Sequence, residues 1–241
     1  MIKKPNSLVS KYLFEFIVVF SGLLLSFTID NYNKKIDKIE TKNLLLSELK
    51  QSIKSDLTQL DIVNKSLNDC LNSIELLLDN RDKDKSFTDS LIAYHVSNIS
   101  AKMAISFFPQ KGIYNQLIYS NSLELIQNSK LRGKIIDLYE HLEDRKSASD
   151  LKNDLFIESF DQAILDKIYY RIKILEVDNS VDLNTRIVDY KVEDSLLVDA
   201  YFLGYIVNAE KRVYYYKELL KKYFEVMTEI SVILEQNHDL N

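Results

Sequence analysis

Residues 32–78 read YNKKIDKIETKNLLLSELKQSIKSDLTQLDIVNKSLNDCLNSIELLL, and this stretch decides the fold. It contains neither Gly nor Pro, the residues that most often interrupt a helix. One heptad column runs Tyr32, Ile39, Leu46, Ile53, Leu60, Leu67 and Ile74, apolar throughout. A second runs Ile36, Asn43, Lys50, Leu57, Asn64, Leu71 and Leu78, apolar at four places. A repeat sustained this long predicts one coiled-coil-like helix. Asn43, Lys50 and Asn64 either fix its register or mark the wet edge of a wider bundle. Cys70 falls between the columns and is expected to be inert and half-buried.

Immediately upstream, Tyr12 to Ile29 reads YLFEFIVVFSGLLLSFTI, with Glu15 as the only charge. At 1.5 Å per residue this covers about 27 Å, close to the apolar thickness of a bilayer. The composition predicts a transmembrane helix with Tyr12 at the interface. A cleaved signal peptide needs an Ala-x-Ala-like site, for which Ser26-Phe27-Thr28 is a poor substitute. A buried core helix is disfavoured because the segment is apolar on every face and lies next to a terminus. No breaker separates the span from the heptads, so one helix should run from the membrane into the domain. Lys3, Lys4 and Lys11 precede the span, while Lys34, Lys35, Lys38 and Lys42 follow it. The short basic tail favours a cytoplasmic N-terminus and a periplasmic domain. Gly22 and Ser26, four apart, form a small-residue pair that either lets two helices approach closely or is incidental. Glu15 either snorkels to the headgroups, stays protonated, or lines a contact between helices.

Downstream, Asn80 to Ser86 reads as a charged loop. Ser86-Phe87-Thr88-Asp89 matches a capping box, predicting a helix from there toward Ile105. Pro109, after Ser106-Phe107-Phe108, should end it. Short helices are expected near Ile113–Tyr119 and Leu123–Ile126, separated by Ser120-Asn121-Ser122. A long helix should start near Lys130, with Leu131, Ile135, Leu138 and Leu142 facing inward. It should continue, straight or bent, through Leu155, Phe156, Phe160, Ile164 and Ile168. Alternation at Ile172, Ile174 and Val177, then at Val188, Tyr190 and Val192, suggests either a short hairpin near 171–192 or an extended connection. From Ser195 to Gln236 a second heptad helix presents Phe202, Ile206, Ala209, Val213, Tyr216, Leu220, Tyr223, Met227, Ile230 and Leu234. The two long helices, 32–78 and 195–236, are expected to pack antiparallel as a stalk.

Composition agrees. The 241 residues include only 4 Gly and 2 Pro, too few for a turn-rich sheet or barrel. The fold class expected is all-α: a transmembrane helix over 1–30, then a helical bundle over 31–241. One cysteine excludes a disulfide within the chain and a cysteine-rich zinc site. The net charge of -5 argues against nucleic acid as a partner. Gly22, Gly112, Gly133 and Gly204 lie too far apart for a phosphate loop. Among His95, His141 and His238, only Glu235-x-x-His238 has the spacing of a carboxylate-bridged di-iron site, and its required second copy is missing. Asp137 and His141 read as a solvated pair one turn apart. No catalytic residue, metal or cofactor is therefore expected, and the chain is not read as an enzyme. The 15 tyrosines, with no tryptophan, suit wet apolar surfaces or domain packing.

Two stretches carry a resemblance. Lys11 to Asn33, with Glu15 early in the span, Gly22 in its middle and Asp30-Asn31-Tyr32-Asn33 at its exit, resembles the opening of an uncharacterised family of Bacteroidetes membrane proteins. That family usually has Trp where this chain has Tyr32. The patch from Phe107-Phe108-Pro109 through Tyr114, Leu117, Ser120, Leu123, Ile126, Asn128 and Leu131 to Tyr139 is also similar. The family often has Gly after the serine, where Asn121 and Ser122 stand here. The resemblance implies a single-span protein with a helical domain, and no activity. Phe107, Phe108, Pro109 and Tyr114 are the candidate binding face, with packing an equal reading. The function expected is a bacterial inner-membrane interaction or scaffold protein that meets the lipid bilayer, an unidentified protein partner or a second copy. The alternative is an oligomeric effector or channel-like assembly built on Glu15, Gly22 and Ser26.

Overall fold

The computed structural model describes residues 7–81, 87–176 and 184–236. Helix α1 runs unbroken from Ser7 to Asp79. Helix α2 follows over Asp89–Met103 and α3 over Gly112–Tyr119. A 3-10 turn at Leu123–Leu125 leads to α4, Ser129–Ile136. A π-helical turn, Asp137–Leu142, joins α4 directly to α5, Glu143–Ile164. Strands β1 (Ile168–Glu176) and β2 (Asn184–Val192) form an antiparallel hairpin. A second 3-10 turn, Leu196–Val198, precedes α6, Ala200–Gln236. The fold is an all-α bundle with one small two-stranded sheet.

The two long helices pack antiparallel. Lys50 pairs with Glu235 at 3.3 Å, and the Lys217 ammonium donates to Asn68 Oδ1. Eighteen residues separate Lys50 from Asn68, and eighteen separate Lys217 from Glu235, so the helices run opposite in strict register. By that register Leu60 lies opposite residues 225–226 and Leu67 opposite residue 218. Both leucines are buried, as are all ten seam residues expected in α6.

The α1 seam differs from the expected one. The column Ile53, Leu60, Leu67 and Ile74 is buried, but its partner column is Leu49, Asp56, Val63, Cys70 and Leu77. Asn43, Lys50 and Asn64 therefore flank the seam instead of filling it. Leu57, Leu71 and Leu78 pack at its edge, half-buried. Cys70 is fully enclosed, not half-buried, and burial pushes its thiol up to about 12.

Helix boundaries follow from their caps. Thr88 caps α2, its hydroxyl accepting the Leu91 amide at 3.4 Å, while Ser86 lies outside the described residues. The Asn80–Ser86 loop lies mostly outside them too. Asn128 caps α4, accepting the Leu131 amide at 3.0 Å. Asp199 caps α6, accepting the amides of Tyr201 and Phe202 at 2.8 and 2.9 Å. This cap starts α6 at Ala200, five residues later than expected. The Asp199 carboxylate also meets Lys167, fastening the hairpin base to α6. Asn121 takes φ 55, the left-handed conformation that Asn tolerates better than most residues, and turns the chain after α3. Ile168 opens β1 rather than extending α5, and Leu155 is exposed. Val177 and His238 fall outside the described residues.

No residue from 11 to 44 is buried; tertiary packing of α1 begins at Leu45. Within the exposed part lies the one helix among the described residues that is long and apolar enough to cross a membrane. Its window has mean hydropathy 2.0, with none of it buried.

Candidate functional site

Two regions collect the residues singled out by the sequence. In the apolar stretch, Glu15 lies one turn from Lys11, carboxylate to ammonium 4.0 Å. Gly22 is seven residues on, and Ser26 one turn beyond it. A Cβ built on Gly22 meets nothing within 4 Å, so that face of the helix is open. The Thr28 hydroxyl donates to the Leu24 carbonyl at 2.8 Å, so this polar side chain is satisfied within its own helix.

The second region is a strap, residues 105–111, between α2 and α3. A strap without helix or ladder leaves its amides needing partners. Here side chains of the two long helices supply them. Phe107 N–H donates to Tyr216 Oη at 3.1 Å, Phe108 N–H to Gln59 Oε1 at 3.1 Å, and Gln110 N–H to Asp56 Oδ2 at 3.0 Å. Pro109 fills the one place in that run where no donor is required. The Gln110 side chain adds a bond to Ser55 Oγ at 3.1 Å.

The four residues of the expected binding face divide. Phe107 is fully buried, its ring meeting Tyr223 edge-on at 5.2 Å. Tyr114 is buried, stacked on Tyr139 at 4.9 Å and donating to Glu140 at 2.7 Å. Phe108 is 64% exposed, and Pro109 is partly covered.

Beneath the strap lies a cluster of charges. Lys146, only 3% exposed, donates to Asp150 at 2.7 Å and lies 3.7 Å from Glu143. Its ammonium also sits 5.3 Å from the Phe108 ring centre, a cation–π contact. Glu143 further accepts from Tyr223 at 3.1 Å and meets Lys111 at 3.5 Å. Lys146 lies one turn after Leu142 and two after Leu138, both buried, and continues their line inward.

Electrostatics argue against a reactive phenol here. Burial, helped by Glu143 at Tyr223 and by Asp56 at Tyr139, pushes both hydroxyls far above the ordinary range. Tyr216 is raised by burial and by Asp150, and Tyr114 by burial and Glu140. Asp56 is the exception that titrates near neutrality. It is 1% exposed, and burial lifts its carboxyl to about 6, against the lowering effect of the Gln110 hydrogen bonds. The arrangement can clamp the strap across both long helices. Two surface clefts among the described residues lie elsewhere: a polar one lined by Lys134, Asp137, His141, Arg145, Lys222 and Glu229, and a groove of about 540 Å³ between α5 and α6. No group of three metal-ligating side chains occurs among the described residues.

Asp56, Glu143, Lys146 and Asp150 escaped the sequence reading. For Asp56 the signal was available: it lies three residues after Ile53 and four before Leu60, the spacing of a seam position. Lys146 lies in a polar run, DRKSASD, that reads as solvated.

Comparison with known sequences places these features in context. The sequence model of a family of unknown function, DUF6090, matches residues 15–150. That interval holds Glu15, Gly22, Ser26, Asp56, the strap and Lys146, but neither Tyr216 nor Tyr223. No curated protein and no solved structure matches the chain.

Proposed function

The chain belongs to the DUF6090 family, whose function is unknown, and from that premise we propose that it is a membrane-anchored helical interaction or scaffold protein. The observation that carries this reading is the apolar window of α1, none of which is buried. Its large side chains are 50–69% exposed. Together they present an apolar surface on the order of 1,000 Å², against the few hundred usual for a soluble monomer. A bilayer is the solvent that removes this cost. The anchor is a single span in a bacterial inner membrane. The basic N-terminal tail is cytoplasmic and the bundle periplasmic, supported by Lys3, Lys4 and Lys11.

In this reading the bundle offers a rigid body to a protein partner, and the strap cluster holds it rigid instead of catalysing a reaction. The pairing of Glu15 with Lys11 supports a carboxylate drawn toward the N-terminal interface, and so a plain anchor over a Glu15-lined channel. Protease treatment of intact spheroplasts tests the orientation. Loss of the bundle with survival of a short anchored fragment is expected; full protection until lysis would place the bundle in the cytoplasm.

A further inference from the structure

The register of the two long helices sets a boundary along α1. The described part of α6 ends at Gln236, opposite Leu49, and packing of α1 begins at Leu45. The heptad pattern does not stop there. Tyr32 and Ile39, which continue the buried column of Ile53 and Leu60 toward the membrane, are 65% and 40% exposed. Ile29 and Ile36 flank them and are also exposed. The segment between apolar span and bundle thus carries a heptad seam at Ile29, Tyr32, Ile36 and Ile39 that nothing among the described residues covers.

We infer that residues 29–46 of α1 form a parallel two-stranded coiled coil with a second copy of this chain. Lettered so that a precedes d by three residues, the a places are Ile29, Ile36 and Asn43, and the d places are Tyr32, Ile39 and Leu46, the last already half-buried against its own bundle. The single Asn at a, Asn43, fixes register and favours two strands, against the pull of Ile36 and Ile39, at a and d, toward three or four. The flanking charges fit the same partner. Lys35 at g faces Glu40 at e of the other helix, the opposite-sign pairing that a parallel, in-register dimer requires. Lys42, also at g, faces the uncharged Ser47 at e, while Asp30, Lys34, Asp37 and Lys38 lie outside the seam, Asp30 pairing with Lys34 along its own helix at 2.6 Å. Gly22 falls on the same a column inside the apolar stretch, so the seam continues into the region where backbones can approach.

The inference rests on the anchored reading in one respect. Two and a half heptads are marginal between free molecules. Two copies held in one bilayer with one orientation meet at high effective concentration, already parallel. The unbroken α1 then carries the pairing into the bundles and sets them side by side.

Single cysteines in native membranes test it, and Cys70, enclosed with its thiol held protonated, stays out of the reaction. Under mild oxidation Ile36→Cys and Asn43→Cys should give disulfide-linked dimer several-fold above Lys38→Cys and Thr41→Cys, which lie off the seam. Lys35→Glu added to Ile36→Cys should lower the yield by placing like charges together, and Lys35→Glu with Glu40→Lys should restore it. Equal linkage at all four positions, or no rescue, overturns the parallel register. Amine cross-linking that yields tetramers or larger overturns the two-stranded form. A carbonate wash of the same membranes separates the two claims. Retention without linkage at Ile36→Cys defeats the dimer and spares the anchor, whereas release with linkage intact defeats the anchor and spares the dimer.

Discussion

Replacing Asp56 with Asn should make the protein more stable at neutral pH, and more so as the pH rises from 4 to 8. The carboxyl titrates near 3.8 when exposed and at about 6 when buried in the α1 seam. The folded state therefore holds the proton more tightly than the unfolded state. Below about pH 4 the group is protonated in both states, and burial carries no charge penalty. Above about pH 6 it is ionised in both, and the fold bears the full cost of an enclosed carboxylate. At 1.36 kcal/mol per pKa unit the penalty comes to about 3 kcal/mol. Asn keeps the acceptor for the Gln110 amide but adds an N–H2 that needs partners of its own, so the gain at a single pH will be smaller. The change with pH is free of that offset. The stability of Asp56→Asn minus that of the wild type should grow by about 3 kcal/mol between pH 4 and pH 8. In melting temperature this is roughly 6–12 °C for a domain of this size. The chain has no tryptophan, so unfolding of the full chain in detergent is best followed by the near-ultraviolet dichroism of its tyrosines. A gap between variant and wild type that stays constant across the range would refute the reasoning, because it would mean that burial leaves the carboxyl unperturbed.

Lys146→Met should destabilise by about 3 kcal/mol, since the half-buried Asp150 would lose its cation and Glu143 would keep only Lys111. Adding Asp150→Leu should recover part of the loss in denaturant titrations. Phe107→Ala should cost about 3–5 kcal/mol by leaving a cavity against Tyr223, while Phe108→Ala, on an exposed ring, should cost under about 1 kcal/mol. Similar losses at the two positions would contradict the division of the strap into a buried and an outward residue. Gly22→Leu meets open space within its own chain, so membrane insertion should be unchanged. Dimer cross-linking should fall, and undiminished cross-linking would remove Gly22 from any contact between helices.

The sequence was most legible where one residue type filled a whole column. All ten seam positions of α6 are apolar and all are buried. In α1 the column of Ile53, Leu60, Leu67 and Ile74 was equally plain, but its partner was not. One flank offers Leu57, Leu71 and Leu78, the other Leu49, Val63 and Leu77. Asp56 and Cys70 made the true flank look less apolar than the edge. Which flank is buried depends on where α6 and α2 lie, a tertiary choice that periodicity cannot make. The strap was foreseeable as a break because of Pro109, but its amide partners come from residues 49 to 109 positions away. Lys146 follows Leu142 by four residues, an inward spacing, but the polar run around it masks that signal. The hairpin appeared through its alternation, and Ile168 was assigned to the wrong element because an apolar residue suits either period.

The central claim is that the exposed apolar window of α1 is embedded in lipid. Alkaline carbonate extraction of native membranes, compared with detergent extraction, measures this most directly. The account predicts that the full chain stays in the membrane pellet through the carbonate wash and is released by detergent. Release by carbonate alone would contradict it, and would mean that this surface is covered by protein.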